Sequence, residues 1–416
     1  MMTKKTTILK LDERGYGFAQ DENNNSLIIP YSLPGEKVEI EKNQDHWHLK
    51  KLIQSSPHRI TPPCPYYEAC GGCVLQHMSP VAYTEYKMRR LSQALERYGL
   101  REVSMDPIVV LGPHLRRRAI FHALRTATET LIGYYQLGSH HLVDIAHCLL
   151  LRFDINDLII PLKQLLGQIL KPKEKADILL TSTKTGIDFL LKIKGNKAID
   201  LSDIEGLKTF AYDNNLARLS FANDQEEWPI ITLKSPQIEF DSCGVEASAD
   251  GFLQTSTGAD QILSSLVVKE LPATHKRIAD LFCGRGTFSI PLSKVGRVDA
   301  YEMDGKALKA LTQAAKLHNL SLQTYTRNLF SDPLTPDQLE PYQTVVLNPP
   351  RQGAAAQSKI LAQSKVSHIV MVSCNPDSFA RDAALLQKGG YHLKKLSPLD
   401  QFLWSPHVEI VAHLIR

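Results

Sequence analysis

Arg277-Ile-Ala-Asp-Leu-Phe-Cys283, followed at once by Gly284-Arg-Gly286-Thr-Phe288, decides the fold class of this chain. The apolar run reads as a buried strand, the two glycines as a tight turn, and the residues after them as a helix. The alternation continues downstream. Residues 298–302 form a second strand ending on an acid, and residues 305–320 are helical. Strands follow at 322–326, 344–347 and 367–373, with a helix over 376–387. Strands alternating with helices predict an α/β domain, doubly wound around a mainly parallel sheet. In such sheets ligands sit at the carboxyl ends of the strands.

A glycine turn at that end lets backbone approach a cofactor closely. Here the turn lacks the third glycine of a dinucleotide site, since Ser289 stands where G-x-G-x-x-G needs it. The pattern fits a nucleoside cofactor such as S-adenosylmethionine (SAM), with Glu302 placed to accept from ribose hydroxyls. Two further strands end in chemistry-bearing groups, Asn348-Pro-Pro-Arg351 and Ser373-Cys-Asn-Pro376. Prolines hold these corners extended, so the preceding side chains project into the cleft. Cys374, just before a helix N-terminus, is expected to have a lowered thiolate pKa. Glu409 opens the last apolar strand. Cys283 is expected to pack inside the glycine turn.

Upstream of this domain the chain is long enough for more. Its 416 residues, 43% hydrophobic and 22% charged, predict two to four domains and exclude a disordered or collagen-like chain. No uncharged apolar run is long enough for a membrane span, because Pro161 and Lys163 break the best stretch. The opening Met1-Met2-Thr3-Lys4-Lys5-Thr6 lacks a signal-peptide core, so the cytoplasm is expected. A net charge of +4 is compatible with nucleic acid without arguing for it.

Three regions are expected. Residues 1–57 carry short strands between turns, a small OB-like barrel. Residues 58–250 form a mixed α+β central domain, and residues 251–416 the domain described first. The central region opens with Cys64-Pro-Tyr-Tyr-Glu-Ala-Cys70-Gly-Gly-Cys73, a C-x5-C-x2-C cluster with Cys148 as the nearest fourth thiol. Seven cysteines in a cytosolic chain favour metal binding over disulfides, and spacing alone leaves iron and zinc open. A helix over 81–98 carries Lys87, Arg89 and Arg90. A strand follows Arg116-Arg-Arg118, with Tyr134, Tyr135, His140 and His141 close by. Cations for phosphates and aromatics for unstacked bases are what RNA binding needs.

Together these motifs resemble the SAM-dependent RNA uracil-5-methyltransferases, and the resemblance covers nearly the whole chain. Gly15-Tyr-Gly17 with Leu33-Pro-Gly-Glu36 is similar to an N-terminal RNA-binding TRAM domain. The resemblance implies a Rossmann-like class I methyltransferase domain with Gln254, Phe282, Thr287, Glu302, Asn328 and Asn348 at the SAM site. It makes Cys374 the nucleophile and Glu409 the general base. It also implies that Cys64, Cys70, Cys73 and Cys148 bind a [4Fe–4S] cluster. The cluster-bearing branch leans toward 23S ribosomal RNA, with transfer RNA as the other substrate and a monomer as the default state.

Two positions depart from the family. Asn348 replaces the Asp that usually opens D-P-[PA]-R, and Ser256 replaces an Asn after Gln254. Asn348-Pro-Pro also resembles the motif of amino-group methyltransferases, which act on adenine or glutamine without a covalent step. That reading and a non-catalytic RNA-binding protein are the alternatives.

Overall fold

The computed structural model describes residues 2–43, 46–195, 197, 199–272 and 277–416. Met1, in the opening stretch read above, lies outside them.

The predicted doubly wound sheet is present. Its strands run in the order Leu322–Thr326, Arg297–Glu302, Arg277–Leu281, Thr344–Leu347, His368–Ser373, Glu409–Ile415 and His392–Asp400. The first five are parallel, and Glu409–Ile415 inserts antiparallel to both of its neighbours. The strands Arg277–Leu281, Thr344–Leu347 and His368–Ser373 are buried almost throughout because helices cover both faces. The helix Gly305–Leu317 starts where Asp304 accepts from the backbone N–H of Lys306 and Ala307. It packs tightly on the glycine turn: a Cβ on Gly286, φ 97°, would stand 2.4 Å from Leu311 Cδ1.

The sheet does not stop at the expected domain boundary. Ser104–Met105 and Val109–Val110 pair with His392–Asp400, and the helix Pro80–Arg97 lies beside Pro376–Lys388. Leu91, Ala94 and Leu95 of that helix, with Leu100 after it, are buried against residues far along the chain. They join the core formed by Phe379, Ala383 and Leu396. The second half of this helix and the short strands after it thus pack with the doubly wound sheet, while Tyr83 and Tyr86 in its first half pack with Val74, Leu75 and Met78.

The rest of the central region is a seven-stranded, largely antiparallel sheet from Arg118–Arg125 to Glu227–Thr232, covered by the helices Ile159–Ile169 and Leu201–Asp213. The N-terminal strands make two three-stranded sheets around Ile8, Ala19, Leu27, Ile29, Val38 and Ile40. Buried Glu36 ties this barrel to the chain that leaves it. Its carboxylate accepts from Arg59 at 2.6 and 2.8 Å and from Leu33 N at 2.8 Å.

Candidate active site

Cys374 occupies the corner between a strand and a helix. The strand ends at Ser373; Asn375 caps the next helix by accepting from Asp377 N at 3.2 Å, and Pro376 is its first residue. One strand over, Ser373 pairs with Ile410 as the last pair of the ladder, and Cys374 and Glu409 are the residues just beyond it. A thiol and a carboxylate therefore come near each other at the rim of the sheet, close enough for the charge of Glu409 to act on Cys374.

Glu409 is 3% exposed, and burial pushes its carboxyl up to about 7. Burial also pushes the Cys374 thiol up, to about 11, and the charge of Glu409 adds to the rise while Arg351 opposes it. This corrects the expected lowering of the thiol pKa, because desolvation outweighs the helix N-terminus. His407 contributes no cation here: burial, then Arg351, Arg90 and Lys87, hold its pKa down to about 4.

The glycine turn and Glu302 form a second group at the rim. Glu302 Oε2 accepts from Gly284 N at 3.0 Å, while Oε1 accepts from Met303 N and Asp304 N at 2.7 and 2.9 Å. The carboxylate is thus fixed at its strand end. Space is open beside Gly284, where a Cβ would meet nothing within 4 Å. Phe282 sits at φ 61°, an unusual conformation for a bulky residue, with its ring 5.1 Å from that of Phe330. Asn348 N donates to Leu281 O at 3.2 Å, which brings the Asn348-Pro-Pro corner beside the turn. Asn328 Oδ1 accepts from Phe330 N at 3.1 Å. Thr287 instead lines a cleft with Asp260, Gln261 and Lys294. A carboxylate, an open glycine turn and an aromatic pair suit a nucleoside cofactor.

Gln254 reaches the Cys374–Glu409 side of the rim through a partner that the motifs did not single out. Gln401 Nε2 donates to Gln254 Oε1 at 2.6 Å and to Glu409 Oε2 at 2.9 Å. Glutamine carries no reactive group, so only its place in Asp400-Gln401-Phe402, shortly before Glu409, could have drawn notice.

Of the basic residues expected on an RNA surface, Arg89 is exposed, whereas Lys87, Arg90, Arg117 and Arg118 serve as internal braces. Arg117 Nε donates to Gln254 O at 3.0 Å and pairs with Asp260, and Arg118 bonds the carbonyls of Asp250 and Gly251. Together they hold the segment that carries Gln254. Lys87 is fully buried, 2.5 Å from Asp400 Oδ1 and 2.7 Å from His407 O, and Arg90 bonds Pro406 O. Tyr83 OH adds a bond to Asp400 Oδ2 at 2.6 Å and accepts from Trp404 N at 2.8 Å. The helix is basic because it serves a buried acid and loop carbonyls.

Cys64, Cys70, Cys73 and Cys148 line one cavity of about 200 Å³ with Tyr66, Tyr134 and Trp404. Among the described residues no group of three or more His, Cys, Asp or Glu converges closely enough to hold a metal ion. The donor set is nonetheless chemically suited to a cluster larger than one ion, since four thiolates are its usual ligands. Trp404 O accepts from Val74 N and Leu75 N at 3.0 and 3.1 Å, so the cysteine turn abuts the loop before Glu409. Cys283 and Cys243 are buried, as expected for the first.

The sequence profile of the tRNA (Uracil-5-)-methyltransferase family matches residues 243–416. A 23S rRNA (uracil(1939)-C(5))-methyltransferase, RlmD of Shewanella amazonensis, is 31% identical over 418 residues, covering 97% of this chain and 94% of that one. The chain belongs to the RNA uracil-5-methyltransferase family. It is a SAM-dependent enzyme of that class, which sets aside the amino-group and non-catalytic alternatives. An uncharacterized RNA methyltransferase of Brucella suis is 36% identical over 421 residues, covering 100% of this chain and 98% of the relative. In fold, the chain resembles a tRNA (uracil-54, C5)-methyltransferase of Pyrococcus abyssi crystallised with S-adenosyl-L-homocysteine. The TM-score is 0.76 at 21% identity, covering 99% of this chain and 100% of that one. No helix among the described residues is long and apolar enough to cross a membrane.

Proposed function

We propose that the enzyme methylates C5 of one uridine in 23S ribosomal RNA through a covalent bond between Cys374 and C6 of the base. The observation that carries this reading is the Ser373–Ile410 pair, just beyond which the Cys374 thiol feels the charge of the Glu409 carboxylate. C5 of uracil is a weak nucleophile. Addition of the Cys374 thiolate to C6 forms the S–C6 bond and moves the C5=C6 electron pair toward O4, giving an enolate. SAM, when bound, supplies an electrophilic methyl group to which C5 bonds as the sulfonium–methyl bond breaks. Glu409 then takes the C5 proton, the C5=C6 bond re-forms, and the Cys374 thiolate leaves. Arg351 is the cation that favours the thiolate.

In this reading Gln254, Phe282, Glu302, Asn328 and Asn348 border the SAM site. Glu302 takes the ribose and the Phe282 ring the adenine. Thr287 contributes through the turn rather than by contact. The target base must leave its stack to reach Cys374.

Ribosomal RNA is favoured because the Shewanella relative that acts on it aligns along nearly the entire chain. An N-terminal TRAM-like barrel would guide the strand. A cavity of about 790 Å³ beside it is lined by Arg14, Tyr16, Lys42, His46, Trp47 and Gln136, which offers cations and stacking faces together. Cys64, Cys70, Cys73 and Cys148 hold a [4Fe–4S] cluster that braces the chain and takes no part in methyl transfer. One chain carries the whole site, so the enzyme acts as a cytoplasmic monomer.

The test incubates purified protein with methyl-labelled SAM and unmodified ribosomal or transfer RNA in separate tubes, followed by nucleoside analysis. Label in 5-methyluridine from the ribosomal tube alone is expected; label from the transfer tube alone would overturn the target. Protein purified without oxygen should be coloured and contain about four iron ions per chain, and iron-free protein would refute the cluster.

A further inference from the structure

The mechanism requires Glu409 to meet the proton on C5 at one particular moment, yet a buried carboxylate on its own has several rotamers. Gln401 restricts them. Its amide is 4% exposed and every hydrogen-bonding end of it is engaged. Oε1 accepts from Thr255 N at 3.2 Å and Thr255 Oγ1 at 3.3 Å, and the two hydrogens on Nε2 go to Gln254 and Glu409. The amide has only one workable sense. Turning it over would set an NH2 against the Thr255 N–H and a carbonyl against Gln254 Oε1 and the Glu409 carboxylate. The backbone is fixed as well, since Ser256 Oγ donates to Gln401 O at 2.8 Å. Ser256, the departure noted from the sequence, therefore holds the loop that carries Gln401.

We propose that Gln401 is a positioning residue for proton abstraction, holding Glu409 by its amide and braced in turn by Gln254, Thr255 and Ser256. This rests on the covalent reading given above. A donor aimed at Glu409 also favours its charged form, the form that accepts the proton. The assignment separates two steps. Attack by Cys374 and methyl transfer do not use the Glu409 carboxylate, whereas release of the product does. Loss of Gln401 should therefore stall the reaction after methylation and leave the RNA attached to Cys374.

The experiment uses full-length wild type, Glu409→Gln, Gln401→Leu and the shorter amide Gln401→Asn, with ribosomal RNA tritiated at uridine C5 and methyl-labelled SAM. Tritium release reports proton loss, and denaturation-resistant protein–RNA complex carrying methyl label reports the stalled adduct. Wild type should release tritium in step with methyl incorporation. Glu409→Gln should accumulate adduct and release almost none. Gln401→Leu should accumulate adduct too, with release slowed about tenfold for one lost hydrogen bond to a charged group, while adduct forms at close to the wild-type rate. Gln401→Asn, which keeps polarity but not reach, should behave in the same direction. If Glu409→Gln traps no adduct, the covalent reading itself is wrong. If Glu409→Gln traps it but both Gln401 variants slow adduct formation and release equally, Gln401 is only a structural residue and the proposal falls.

Discussion

Cys374 and Glu409 each lie one position beyond the Ser373–Ile410 pair that ends an antiparallel ladder, and the charge of Glu409 reaches the thiol. Both are removed from water, and that charge further disfavours a thiolate at Cys374. The folded state favours neutral Glu409, whose pKa rises from 4.5 to about 7. Between those values the unfolded chain has released its proton and the folded chain has not, so stability falls as pH rises through this window and levels off above it. Glu409→Gln removes that loss. Its stability advantage over wild type should grow by on the order of 3 kcal/mol between the two limits, read as denaturant midpoints at several pH values. Turnover of the same variant should drop by about 10²–10⁴.

Wild-type turnover should rise with pH through about 7, following the Glu409 carboxylate. A rate that stays flat across that range would mean that Glu409 is not the base.

Replacing Cys374 by alanine removes the atom that activates C5. Formation of 5-methyluridine should become undetectable while RNA binding, measured by filter retention, stays within about threefold, because affinity rests mainly on phosphate contacts elsewhere. Methylation at the wild-type rate would exclude the covalent mechanism.

Lys87→Met leaves Asp400 buried without its cation. Removing one partner of a buried pair costs about 3–5 kcal/mol, so the thermal midpoint should fall sharply. Adding Asp400→Asn to it should recover a substantial part. Single and double variants with equal midpoints would show that the pair is not coupled.

Asn348→Asp restores the residue usual in the family at the corner beside Leu281. Either side chain can accept a hydrogen bond, so methylation of uridine should persist, checked by nucleoside analysis. Loss of activity would show that this corner is organised around an amide.

The parallel strands were legible because buried strands and their helices impose distinct periods on the sequence. Residues 322–326 and 344–347 are observed as read. Cys374 stood out for its reactive group at a strand end, and Glu409 for an acid opening an apolar strand. Gln401 had no such mark, since its importance comes from what folds around it. Lys87 and Arg90 misled for a related reason: their acceptors, Asp400 and the carbonyls of Pro406 and His407, lie more than three hundred residues away in the chain. The raised thiol pKa was hidden because burial is a property of the assembled site.

The position of the helix Pro80–Arg97 and of the short strands after it bears on how this enzyme can be divided. The region shared with the family profile begins at residue 243 and looks like a portable catalytic cassette. Cut there, it would lose the two strands that pair with His392–Asp400, the cation beside Asp400 and the arginines that anchor Gln254. It would keep Cys374 and Glu409 but lose the braces that Tyr83, Lys87 and Arg90 give to Asp400 and to the loop before Glu409. Grafts, split-enzyme designs and crystallisation fragments must therefore carry residues 80–118 along with the catalytic sheet, because part of the site's scaffold is encoded well before the stretch that the family profile matches.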